Sequence, residues 1–129
     1  MKSENLILEK SFLFAKRIVL LYQELIAHSD NRVLATQLLK CGTSIGANVR
    51  EAVRAQSRNE FLAKMNISLK EAYECEYWLE LLHATCYLKQ TTFDSLFADC
   101  RDLTKSLPKL SSAPKRTTKS IAQCLPNQQ

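Results

Sequence analysis

Glycine and proline are scarce in this 129-residue chain, which holds two glycines and three prolines, every proline at or beyond position 108. Nothing therefore interrupts long helices through most of the sequence, and alternating β-branched runs that would make strands are sparse. Two glycines also exclude a glycine-rich phosphate loop. The one G-x-x-x-G, from Gly42 to Gly46, falls inside a helical pattern and not after a strand. None of the five cysteines shows a C-x-x-C or zinc-type spacing. Four of them, Cys41, Cys75, Cys86 and Cys100, lie in helical patterns and read as free thiols packed as small hydrophobes. No apolar run approaches the roughly 20 residues that span a bilayer. The start, MKSENLILEK, scatters charge where a signal peptide would carry an apolar core. The expectation is a soluble cytoplasmic protein without metal or other cofactor.

What the chain does have is helical periodicity and divided charge. Its length suits one domain with its own core. The net charge is +5, of which residues 109–129 supply +4, with no acid among them. Residues 40–70 carry +4 and residues 71–108 carry −4, so a nearly neutral body is polarised along the sequence. Such a body suits phosphate, an acidic partner, or head-to-tail contact between copies of itself.

The first helix is expected over about Leu6 to His28, with two adjacent apolar stripes. One holds Phe12, Ala15, Val19, Tyr22 and Ile26; the other holds Phe14, Ile18, Leu21 and Leu25. A face that wide meets two neighbours, or a neighbour and another subunit. The second helix is expected over Asn31 to Ala55, with Leu34, Leu38, Cys41, Ile45, Asn48 and Ala52 inward. Mid-helix glycine costs about 1 kcal/mol against alanine, so the Gly42/Gly46 pair implies close approach of another helix. Ser57-x-x-Glu60 is a capping box opening a third helix from Arg58 to about Leu88, with Phe61, Met65, Leu69, Ala72, Leu79, Leu82 and Cys86 inward. Thr91-x-x-Asp94 reads as a second cap, opening a fourth helix that stops at Pro108. Four amphipathic helices on short connections predict an all-α, up-down-up-down four-helix bundle over residues 1–110, with 111–129 a basic, disordered tail.

The strings SIGANVREAVRAQS and EFLAKMNISLKEAYECEYWLELL resemble the bacterial four-helix bundle proteins encoded in intervening sequences of 23S rRNA genes. More distantly, they are similar to accessory proteins of diversity-generating retroelements. The shared turn matches Ser44, Ile45, Gly46, Ala47 and Asn48, continuing through Arg50, Glu51, Ala52, Gln56 and Ser57. The K-E-A-x-E-x-x-Y-W-L segment matches Lys70, Glu71, Ala72, Glu74, Tyr77, Trp78 and Leu79. The resemblance implies a bundle that closes into a homo-oligomeric ring, typically a pentamer, with no enzymatic activity. It also implies a nucleic-acid or ribonucleoprotein role, RNA favoured.

Candidate site residues follow from charge. Arg50, Arg54 and Arg58 form a cationic ridge if the helix persists, which Lys64 extends. Lys115, Arg116 and Lys119 make a basic arm. Together they form the candidate nucleic-acid-binding set; the alternative is a solvated face whose arginines pair with a neighbour's glutamates. A protein-interaction scaffold, for example for a reverse transcriptase, with no nucleic-acid role is the alternative function. Glu71, Glu74 and Glu76 suggest carboxylate chemistry, and Glu80 with His83 fits E-x-x-H. That pair occurs once, however, where a di-metal bundle needs two, so no metal is expected. Trp78 and Tyr77 at helical spacing read as core or interface aromatics. No catalytic residue is identified.

Overall fold

Apolar residues that advance in alternating steps of three and four give a helix one buried stripe, and this chain does so four times. The computed structural model describes residues 2–30 and 32–108. They form α1 (Lys2–His28), α2 (Arg32–Val53), α3 (Arg58–Ala84) and α4 (Gln90–Ser106). Among the described residues there is no strand, and no helix is long and apolar enough to cross a membrane. The expected cations of the basic arm lie outside the described residues.

Neighbouring helices run antiparallel. Gly42 and Gly46 of α2 face Ile18 and Ser11 of α1. Ser68 of α3 donates to the Ile45 carbonyl of α2 at 2.9 Å. Cys100 of α4 lies against the Ala72 carbonyl of α3. Lys10 pairs with Asp102 and Arg17 with Asp99 across the α1–α4 seam. That seam is the sparsest of the four, and the backbones of α1 and α3 do not approach each other. The architecture is an up-down-up-down bundle with α1 and α3 at opposite corners.

The core register on α1 is Ile7, Ser11, Phe14, Ile18, Leu21 and Leu25. On α3 it is Met65, Ser68, Ala72, Cys75, Leu79 and Leu82, the same three-four alternation. Of the two stripes expected on α1, the Phe14 stripe is core. The Phe12 stripe forms its rim, with Tyr22 and Ile26 packed against the core and Phe12 57% exposed. The glycine pair divides its work. A Cβ on Gly42 would lie 2.8 Å from Ile18 Cγ2, whereas one on Gly46 would meet the Ser11 carbonyl at 3.4 Å.

Four expectations are corrected, three of them at helix ends. First, α2 stops at Val53, and its last carbonyls are taken in tightened three-residue turns by the amides of Arg54 and Ala55. Second, Asn48 is only half-buried and donates to the Ser44 carbonyl one turn back at 2.9 Å, so no partner from another helix is needed. Third, α4 begins at Gln90, ahead of the Thr91 pattern. Lys89 occupies the cap position without a side-chain bond, because the buried Leu88 anchors the chain there. The Gln90 amide instead donates to Asp94 at 2.8 Å. The Ser57 cap does form, accepting from the Glu60 amide at 3.1 Å.

Fourth, α3 ends at Ala84, and Cys86 is exposed and not inward. Its φ is +69°. The amides of Tyr87 and Cys86 close back on the Leu82 and His83 carbonyls, the reciprocal pair that terminates a helix through a left-handed residue. A non-glycine residue there carries about 1 kcal/mol of steric cost. Cys86→Gly is therefore expected to raise stability by up to about 1 kcal/mol in urea melts. An unchanged or lower midpoint would contradict it.

Candidate nucleic-acid interface

The α1–α2 face carries an open groove of about 600 Å³. Small side chains make it: Ala15 on α1, and Thr43, Gly46 and Ala47 on α2, leave space that larger residues would fill. Phe12 forms one wall; Arg50, Glu51 and Arg54 form the polar end. The Arg50 guanidinium carbon stands 6.0 Å from the Phe12 ring centroid, a cation-π distance. Glu51 does not neutralise this end, because Lys64 of α3 holds its carboxylate at 2.8 Å. That hydrogen bond and the Glu51 charge, with Glu60 adding to them, hold Lys64 above the ordinary lysine range. Among the described residues, neither Arg50 nor Arg54 has a carboxylate within ion-pair distance.

The expected ridge is therefore broken. Arg50 and Arg54 share the groove, but the chain leaves the helix at Val53, and Arg58 goes elsewhere. Its guanidinium lies 5.8 Å from the Phe61 ring, in a small pocket shared with Glu4, Ile7 and Pro108 at the end of the bundle. Lys64 is committed to Glu51 and so clasps α2 to α3. Phe12 was legible only as part of an apolar face that meets neighbouring helices or another subunit. Its partnership with Arg50 depends on which side of α1 the bundle leaves open.

The acidic residues make a different surface. Glu74 accepts from the Trp78 indole N–H at 3.0 Å, and Tyr77 stands edge-on to Trp78 at 5.0 Å. Burial, then the neighbouring Glu74 charge, raises the Glu71 carboxyl above its usual range. Glu76 lies between α3 and α4, and its Oε2 is 3.8 Å from Arg101 Nε and accepts no hydrogen bond. Burial pushes this carboxyl up, opposed by Arg101 and reinforced by Glu80. His83 stacks on Phe93 at 4.3 Å and meets Gln90 through Nε2 at 3.1 Å. Among the described residues, no three His, Cys, Asp or Glu side chains gather as metal ligands.

The core thiol of Cys75 is equally unsuited to nucleophilic work. Cys75 donates to Cys41 Sγ at 3.0 Å in the core. Hydrogen bonding with Cys100 and Cys41, together with burial, raises the Cys75 thiol far above its usual range. A thiol held protonated does not attack.

A family model described as 23S rRNA-intervening sequence protein matches residues 3–109. No curated protein matches the chain. Among solved structures, the chain is similar to a protein of unknown function from the S23 ribosomal protein family of Bacteroides thetaiotaomicron. The two are 47% identical with a TM-score of 0.79, over 81% of this chain and 93% of that one.

Proposed function

Because the chain belongs to the 23S rRNA-intervening sequence protein family, we propose that it works without catalysis, as a cytoplasmic ring that binds structured RNA in its α1–α2 groove. The observation that carries this reading is the pair Arg50 and Arg54, two cations one turn apart beside an open groove, with Glu51 already engaged by Lys64. Unpaired arginines are the side chains best suited to phosphate oxygens. Arg58 adds charge at the bundle end. Lys115, Arg116 and Lys119 extend the basic surface from the C-terminal segment.

The ring rests on a separate observation. Leu6, Leu13 and Leu20 run seven residues apart along α1, each more than half exposed. At the opposite corner, α3 exposes Ile67, Tyr73 and Tyr77 beside Glu74. Two unlike surfaces on opposite sides join head to tail, and such contacts make a ring when the rotation between copies closes. Five copies is the number that we propose.

The RNA reading is tested by salt-titrated binding to a structured rRNA hairpin. The proteins are the full chain, a chain lacking residues 111–129, and Arg50→Gln/Arg54→Gln. Each lost phosphate contact lowers the log–log salt slope by about 0.7 to 0.9. The double variant is expected to lose about 1.4 to 1.8 in slope, roughly 25- to 60-fold in affinity at about 0.1 M salt. Truncation is expected to lower the slope further. If the full chain ignores the hairpin even at low salt, the reading fails and the groove is a protein contact.

A further inference from the structure

The groove holds more than charge. Phosphate contacts alone need a row of cations on an open surface, not a recess walled by an aromatic ring. Phe12 is 57% exposed, a costly position for a phenylalanine on a helix that already buries a complete core stripe. Beside it Gly46, Ala47 and Ala15 keep the floor low, and the exposed Arg50 guanidinium stands 6.0 Å from the ring centroid. An open groove with an aromatic wall, a floor of small residues and two arginines at its polar end matches one nucleotide, base inside and phosphate at the rim. Its volume of about 600 Å³ lies inside the range of small-ligand sites.

We infer that the α1–α2 groove takes a single unpaired base, stacked on Phe12, while Arg50 and Arg54 hold the flanking phosphates. This rests on the RNA reading and narrows it to the unpaired parts of a structured RNA. A continuous duplex keeps its base faces stacked inside and offers Phe12 only sugar and phosphate. A loop or bulge offers a free π-face, and stacking on an aromatic tolerates any of the four bases. The inference therefore predicts preference for structure over sequence: loops are chosen, but no particular loop sequence.

The test compares two RNAs of equal length and charge, a hairpin with an unpaired loop and a fully paired duplex. It uses the full chain, Phe12→Ala and Phe12→Trp. The full chain is expected to favour the loop RNA by about 5- to 100-fold, the range for one stacked base. Phe12→Ala is expected to erase that preference by lowering loop affinity more than duplex affinity. Phe12→Trp restores it, and its fluorescence is quenched by the loop RNA alone. Equal loop binding by Phe12→Ala and the full chain, with the salt slope intact, overturns the stacked base and leaves the phosphate reading standing. Absence of binding to both RNAs overturns both. A change in oligomeric state for Phe12→Ala without change in loop binding also overturns it, since Phe12 would then face another copy of the chain.

Discussion

Alanine at position 42 is expected to destabilise the protein while Ile18 is present and to cost much less once Ile18 is itself alanine. The added Cβ would stand 2.8 and 2.9 Å from two Ile18 carbons, and Ile18 is fully buried. Overpacking of this kind costs about 1–3 kcal/mol. It outweighs the roughly 1 kcal/mol that alanine gains over glycine inside a helix. Ile18→Ala alone removes a core side chain at a cost of about 2–5 kcal/mol. In that background the two closest carbons are gone and only the residue-18 Cβ remains, 3.1 Å away, so the methyl at 42 costs much less. Urea melts of the two single variants and the double variant give the coupling, expected at about 1–2 kcal/mol. Gly46→Ala is the internal control. Its Cβ meets the Ser11 carbonyl at an ordinary 3.4 Å, and it should be neutral or stabilising. Additive behaviour at 42 and 18 would mean that the two helices part easily at this level.

Leu13→Glu is expected to convert the proposed ring into folded monomers. Covering the exposed halves of Leu6, Leu13 and Leu20 would stabilise each contact by roughly 3 kcal/mol. A glutamate at the middle of that line removes a third of this and places a carboxylate opposite the acidic α3 surface of the next copy. Leu13→Lys loses the same apolar area but meets opposite charge, so it is expected to retain more of the oligomer. Sedimentation against the 14.7 kDa chain mass distinguishes the three proteins, and circular dichroism establishes that each remains helical. A wild-type chain that sediments as a monomer removes the ring. Equal behaviour of the glutamate and lysine variants removes the acidic face as its partner.

The fold was legible because helix periodicity survives most substitutions: the Phe14, Ile18, Leu21, Leu25 stripe could be read directly. What hid the full register was chemistry. Ser11 and Ser68 occupy core positions as polar residues, excusable only when their hydroxyls find carbonyls, at Leu8 and at Ile45. Helix ends failed where tertiary contact decided them. Leu88 anchors the start of α4 two residues before the Thr91 pattern, and a cysteine stands where a left-handed turn usually has glycine. For the candidate site, the sequence supplied Arg50 and Arg54 but strung Arg58 onto a helix that ends at Val53. Phe12 could not be assigned to the groove, since an apolar residue beside a core stripe has no distinguishing mark until its neighbours are placed.

The clasp of Lys64 on Glu51 has a consequence for how a partner arrives. By occupying the one acid among the groove residues, it leaves the positive pole of the molecule undiluted on the α1–α2 side. The acids that follow residue 70 sit on α3 and α4 and form the negative pole. A body divided in this way carries a transverse electric moment. A polyanion approaching from any direction exerts a torque that turns the groove toward it before contact. The same field repels that polyanion from α3, so the approaching chain and the proposed adjoining subunit do not compete for one surface.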